Sequence, residues 1–521
     1  MAVKIFAAIV IGSAETEMRI YELKSGKGMR EIDRVSTPIS LGADAYSDKK
    51  LDQEKIMELC AVLRSFSNIM EGYHADAYKA VATSAFRELR SSIITRDFIE
   101  KQTGLRIHVI SNSEQRFLDY KSIACESDSF EKIIASGTAI VDIGGNSMQI
   151  SVFDKDRLIT TQNVRVGKIS TREQYHEAAE NSHHYSRMVT EVLEHELSGF
   201  AKLYQKDRPI QNLIVADADL LELVRSRYED IMHQERPENM DVFEISAETF
   251  HSLYDRMQQM SADDISMQFE IPTQAAQLVM QSMLFIRCLL GRMDATKLWL
   301  MDVSICDGMC YDYGISCKLV KQTHNFDDDI IAEAYHISKR YKSNQAHIRH
   351  MQALTVEIFN KMKKIHGLKN RERLLLEIAA ILHNCGKYIS LADVPDCAYN
   401  IIMATEIIGL SHDERKMIAN VVRFNTKDFV YYDEAGTAAE LTREEYLLVA
   451  KLTAILRVAN ALDRSHRQKC RDASITLKDD QLVISVATKG DLSLEQITLS
   501  ERAEFFEEVY NIHPVLKVRK L

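Results

Sequence analysis

Asp142-Ile143-Gly144-Gly145-Asn146-Ser147 carries the most chemistry for its length. An apolar run, Thr138-Ala139-Ile140-Val141, precedes it and an alternating run, Met148 to Phe153, follows. That pattern predicts strand, tight glycine turn, strand. Adjacent glycines let the backbone approach a ligand and turn N–H groups towards it, which suits phosphate oxygens. A carboxylate at the strand end, Asp142, can hold a water or a metal. A second copy lies near the N-terminus, where Ala7-Ala8-Ile9-Val10-Ile11 runs into Gly12-Ser13-Ala14. A single glycine turn is compatible with an ordinary hairpin; two copies a domain apart point to a paired phosphate cradle.

The elements that must hold these turns follow from periodicity. Residues 1 to about 125 alternate strand and helix, with helical spacing over Lys50–Glu71. Residues 126 to about 315 repeat the α/β style with more helix, including Glu194–Tyr204 and Gln274–Leu290. From 322 to 470 the pattern is helical. The expected helices are Asp328–Tyr341, Gln345–His366, Asn370–His383, Tyr399–Ile408, Ser411–Arg423 and Arg443–Asp463. Ser411 and Glu414 form a capping-box pattern at the start of one of them. Residues 471 to 521 return to strands around an Asp479-Asp480 turn, as a small α+β domain.

Composition bounds the partners. A net charge of −11 disfavours broad nucleic-acid binding while permitting a local basic groove for a polyanion. No apolar run reaches the roughly 18 residues of a membrane span, and no signal peptide is evident, so a cytoplasmic protein is expected. Cys306 and Cys310 have zinc-pair spacing, but no second pair completes a site, so free thiols are expected.

Several further segments occur in an order that resembles the exopolyphosphatase / guanosine pentaphosphate phosphohydrolase (Ppx/GppA) family across nearly the whole chain. Val81-Ala82-Thr83-Ser84-Ala85-Phe86-Arg87-Glu88 is similar to its "ATSAxRE" segment, and Ile110 to Arg116 to its "ISGxEEAR" segment. Val164-Arg165-Val166-Gly167 resembles its "LPLG" strand, and Val303-Ser304 through Asp307-Gly308 its "VSxxGLREG" element. The resemblance implies an actin-like two-domain α/β core (ribonuclease H-like), an all-α HD-like domain and the small C-terminal domain. It implies hydrolysis of terminal phosphoanhydride bonds in polyphosphate or guanosine pentaphosphate, with Mg²⁺ as cofactor, in a homodimer. On this alignment Glu114 is the general base and Arg87 a phosphate contact. Gly12, Ser13, Asp142, Gly144, Gly145, Asn146 and Ser147 form the phosphate loops, with Asp142 also the metal ligand.

The departures are chemically pointed. Val10, Ala14 and Glu15 replace the Asp, Asn and Ser of the first loop, and Gln149 replaces an acidic residue after the second. Val215-Ala216-Asp217-Ala218-Asp219 stands where a glycine-rich turn is expected. In the helical domain His347 and His383 match an HD metal site, but Asn384 and Asn460 replace its aspartates. Amides are weaker ligands for a hard cation than carboxylates. Two functions follow from the residues: a phosphohydrolase, or a catalytically impaired relative that binds a phosphorylated ligand or protein partner as sensor or scaffold.

Overall fold

The computed structural model describes residues 3–519 except 27, 127–129, 156, 176–181, 207, 233–241, 272, 323, 433–440 and 489. The chain forms two compact units, Met1–Asn325 and Phe326–Leu521.

The first unit is built on two sheets. In the first, β1 (Val3–Ile11), β2 (Glu15–Lys24) and β3 (Gly28–Pro38) are antiparallel. Then β4 (Ala77–Ala82) and β5 (Ile107–Val109) add in parallel beside β1, giving the order β3-β2-β1-β4-β5. The second sheet repeats the plan. Strands β6 (Thr138–Ile143), β7 (Met148–Asp154) and β8 (Arg157–Val164) are antiparallel. Parallel β9 (Asn212–Val215) and β11 (Lys297–Met301) extend it, and β10 (Val242–Ser246) closes the edge. Both glycine turns therefore join the central strand of a sheet to its antiparallel neighbour.

Strand parity explains what each face does. Ala7, Ile9 and Ile11 pack with Leu59, Leu63 and Phe66 of the Gln53–Gly72 helix. Phe6 and Ala8 face the other way, onto Cys306, Met309 and Cys310. Burial on both faces suits the near-continuous apolar run of a central strand. The Ile305–Ser316 helix thus packs on β1 of the first sheet, although the sequence pattern grouped it with the second domain. Val10 shares the parity of Phe6 and packs into the same apolar cluster.

In the second sheet, Val141, Ile143, Ile150 and Val152 face an apolar core with the Thr273–Met293 helix. The opposite face meets the Asn112–Glu126 helix and carries polar side chains near the turn.

The second unit contains helices Phe326–Arg340, Gln345–His366, Asn370–Leu382, Val394–Ala404, His412–Phe424, Arg443–Leu462 and Ser493–Tyr510. The Ser411–Glu414 capping box is closed, as is one at Thr442–Glu445. The helix expected from Tyr399 begins five residues earlier, at Val394, with a proline in its first turn. Strands β12 (Ser474–Lys478) and β13 (Gln481–Ala487) pair across Asp479, whose φ of 50° is left-handed. Strand β14 (His513–Arg519) returns parallel to β13 after the Ser493–Tyr510 helix. That helix packs along Arg443–Leu462, so the C-terminal segment joins the helical unit.

Candidate active-site cleft

The two glycine turns close identically. Gly12 N–H donates to the Glu15 carbonyl at 2.9 Å, and Gly144 N–H to the Ser147 carbonyl at 3.0 Å. A Cβ at Gly12 would stand 2.9 Å from the Glu15 oxygen, and one at Gly144 would stand 3.0 Å from the Ser147 oxygen. The second turn is also gripped from behind. Its Gly144 and Gly145 carbonyls accept from the backbone N–H groups of Lys168, Ile169 and Ser170, which open the Lys168–Gln174 helix.

The tips of the turns meet. A Cβ at Gly145 would lie 2.7 Å from Ser13 Oγ and 3.0 Å from the Tyr46 hydroxyl. Tyr46 hydrogen-bonds Ser13, and shares a 2.7 Å hydrogen bond with Ser84. Asn146 Nδ2 donates to Glu88 Oε1 at 3.0 Å, and Lys49 holds the other Glu88 oxygen at 2.7 Å. Asn146 therefore does more than permit the turn: it ties the second sheet's loop to the first sheet's Ser84–Glu88 helix. Ser147 lies nine-tenths buried behind it.

Glu114 is not in this cleft. Its carboxylate accepts from Ser111 N–H at 2.9 Å, while Ser111 Oγ accepts from Glu114 N–H at 3.2 Å. This reciprocal pair caps the Asn112–Glu126 helix. Glu114 also lines an open groove with Phe6, His108, Asp312 and Tyr313. The next residue is rotated by about 100° around the helix and enters the cleft instead. Gln115 Nε2 donates to Asp142 Oδ2 at 2.9 Å, and Gln115 Oε1 accepts from Arg87 at 3.2 Å. Arg87 also donates to the Ile110 carbonyl at 2.8 Å. The Ser-x-x-Glu spacing from Ser111 to Glu114 was the sequence signal for the cap.

Charge in the cleft is balanced in pairs. Lys168 Nζ sits 3.0 Å from Asp217 Oδ2 and donates to Ser282 at 3.1 Å. Asp217 also accepts from Ser282 Oγ at 2.5 Å and caps the Ala218–Ser226 helix through Leu220 N–H. Burial alone would raise the Asp217 pKa; Lys168, Ser282 and the Leu220 amide together hold it below the usual range. Asp217 is thus neutralised rather than exposed to an incoming anion. The side chain of Asp219 lies outside the described residues. Asp142 moves the other way: desolvation raises its pKa against the pull of Lys168, Gln115, Arg87 and Arg116. Glu15, at the position of the first loop's Ser, accepts a hydrogen bond from Ser36 Oγ at 2.6 Å on the neighbouring strand.

The turn tips do not fit a divalent ion. Val10 is packed in an apolar cluster, and Gln115 aims an N–H at Asp142. Among the described residues, no three His, Cys, Asp or Glu side chains converge on a metal position.

The helical unit holds a second cluster. His347 Nδ1 is 2.7 Å from Asp463 Oδ2, and His347 Nε2 is 3.1 Å from His383 Nε2. Asn384 Nδ2 lies 2.7 Å from the same His383 nitrogen, and His383 Nδ1 is 2.7 Å from the Ala380 carbonyl. His466 stacks on His347 at 3.6 Å. The aspartate that reaches the histidines is Asp463, three residues beyond Asn460, and both nitrogens of His347 are already engaged. Burial depresses the pKa of His383 to about 3 and that of His466 to about 4, with His347 adding to each shift.

The fold and the cleft define a two-lobed α/β phosphatase architecture with paired glycine turns. The Ppx/GppA phosphatase family profile matches residues 19–313, and its domain III profile matches residues 332–503; the chain belongs to this family. It is 22% identical over 489 residues to the guanosine-5'-triphosphate,3'-diphosphate pyrophosphatase of Pseudoalteromonas translucida, covering 92% of this chain and 91% of that relative. The protein of the same name from Aeromonas hydrophila is 20% identical, covering 87% and 86%. Among solved structures, the Aquifex aeolicus Ppx/GppA family member aligns with a TM-score of 0.51 at 18% identity, over 62% of this chain and 100% of that one. An exopolyphosphatase from Cytophaga hutchinsonii aligns with a TM-score of 0.50 at 16% identity, over 61% and 99%. This likeness shows the actin-like α/β core.

Proposed function

We propose that the cleft between the glycine turns binds a phosphorylated anion, polyphosphate or guanosine pentaphosphate, and that this chain hydrolyses it slowly or not at all. One observation carries the reading: the helix side chain set between Arg87 and Asp142 is an amide, Gln115. Attack on a terminal phosphate by water needs a base within hydrogen-bond reach. An amide oxygen cannot take that proton, and here it already accepts from Arg87. The anion-binding half is supported by the backbone turns and by the Arg87 guanidinium beside them.

The family's chemistry would use Mg²⁺, which the apolar Val10 and the N–H of Gln115 do not favour at the turn tips. A homodimer is carried with the family reading; light scattering of the full chain checks it. Among the described residues no helix is long and apolar enough to cross a membrane. The test of function pairs equilibrium binding of long-chain polyphosphate with release of inorganic phosphate. Binding without release supports the proposal; rapid release by the wild type overturns it.

A further inference from the structure

A tyrosine hydroxyl stands where the tips of the two glycine turns meet. The Leu41–Ser47 helix follows β3 and presses onto the first turn. Ile39 N–H donates to the Ala14 carbonyl at 2.9 Å, and Gly42 N–H to the Ser13 carbonyl at 2.7 Å. Gly42 permits this approach, since a Cβ there would stand 2.9 Å from Ser13 Cβ and 3.0 Å from the Tyr46 ring. Leu41 and Ala45 are buried in the apolar core of the first sheet and fix the helix in place. Tyr46 lies one turn beyond Gly42, on the same side of the helix.

The Tyr46 hydroxyl bonds Ser13 of the first turn and shares its 2.7 Å hydrogen bond with Ser84. On the other lobe, a Cβ at Gly145 would lie 3.0 Å from the same hydroxyl and 3.1 Å from Ile169. The Arg87 charge reaches this hydroxyl as well. Three hydroxyls, each able to donate and accept, thus close on one another where both turns and Arg87 come together. Burial pushes the Tyr46 phenol up from its ordinary range, against the pull of Ser13, Ser84 and Arg87, so it stays protonated at neutral pH. A phosphate set against the two turns and Arg87 needs the volume that this hydroxyl fills.

We infer that Tyr46 gates the anion seat: its hydroxyl holds the place of a phosphate oxygen, and the ring turns away when a phosphorylated anion binds. The inference rests on the anion-binding reading and names the residue that controls access to that site. Rotation of one side chain is enough, because Tyr46 is half-buried and is followed by exposed Ser47 and Asp48 where the helix ends. The state that accepts the anion is then the minor one, and apparent affinity falls by the fraction of time the seat is free.

The experiment titrates tripolyphosphate by calorimetry into the full-length wild type, Tyr46→Phe and Tyr46→Ala. Tyr46→Phe keeps the ring and loses both hydrogen bonds, and Tyr46→Ala empties the seat. The expected result is binding about tenfold tighter in Tyr46→Phe and at least as tight in Tyr46→Ala. Tyr46→Phe supplies the reading if Tyr46→Ala fails to fold. In the wild type, nitration of Tyr46 by tetranitromethane, read by peptide mass spectrometry, should speed up when tripolyphosphate is bound. Binding seen only in the variants supports the inference too. Weaker binding by Tyr46→Phe overturns it, because the hydroxyl then donates to the anion. Wild-type binding with unchanged affinity in the variants, or with Tyr46 still protected from nitration, also overturns it and leaves Tyr46 as a tie between the lobes. No binding by any of the three proteins removes the anion-binding reading itself, and the gate with it.

Discussion

The cleft of the first unit and the histidine cluster of the second each set an amide against polar partners, Gln115 in one and Asn384 in the other, in different surroundings. In the cleft, Gln115 lies half-buried beside Arg87 and Asp142, and the backbone turns that could cradle a phosphate keep their closure. In the second unit, Asn384 completes a closed chain of contacts through His383 and His347 to Asp463, and both His347 and Asp463 are 0% exposed. On the proposed reading, an amide at the meeting of the two lobes leaves a place for an anion without a base to activate water. An amide in a sealed core is absorbed into packing. The comparison separates an amide set in a half-open cleft from one set in a sealed core.

The largest effect is expected in the sealed cluster. Asp463→Ala removes the partner of buried His347 and orphans the Gln468 donors as well. Breaking such a buried pair costs about 3–5 kcal/mol, read as a lower urea midpoint, with phosphate-ligand binding by the first unit retained. Loss of ligand binding instead would break the division of roles.

In the cleft, Arg87→Ala should weaken polyphosphate binding by about 10- to 100-fold, the size of a charge-assisted hydrogen bond at about 1.5–3 kcal/mol. Calorimetric titration checks it, and unchanged affinity would mean that the anion does not reach Arg87.

Acid sharpens the contrast further. Desolvation, with His347 beside them, pushes His383 down to about 3 and His466 down to about 4, so both favour the neutral form in the fold. In the unfolded chain they take protons near pH 6.5. The unfolded state therefore binds more protons below that pH, and stability falls as the pH drops from about 6.5 towards 4. Above about 6.5 this contribution is fully present. Thermal unfolding between neutral and mildly acidic pH should show the decline, and His383→Leu should remove its own share of it; a flat wild-type profile argues against neutral imidazoles at His383 and His466.

The smallest effect is at Glu114. Glu114→Ala removes one half of a helix cap, worth about 1 kcal/mol, and should leave both anion binding and phosphate release unchanged. A selective loss of release would return Glu114 to the chemistry.

Much of this was legible in the chain. Both strand–turn–strand units were plain from apolar runs ending at Gly12 and Gly144, and the long helices from Gln345 and Arg443 followed their periodicity. Glu114 and Gln115 could not be separated by alignment alone, because which neighbour faces the cleft depends on helix rotation; the capping-box spacing was the available clue. Asp463 was one turn from Asn460, and only the way the helix ends decides which meets His347. The polar face of the second sheet left a trace in the alternation Gln149, Ser151 and Thr161, Asn163, but that these residues lie in rows beside Asp142 under one helix needed the pairing of three strands. The cross-lobe bond from Asn146 to Glu88 joins residues 58 apart and had no local signal.

The most direct test of the account compares phosphate release from long-chain polyphosphate by the wild type and by Gln115→Glu under the same Mg²⁺ concentration. A carboxylate placed between Arg87 and Asp142 should raise the rate by about 10²-fold or more, the ordinary contribution of a positioned general base, while polyphosphate affinity changes little. A wild type already as fast as the variant would contradict the claim that Gln115 marks the missing base.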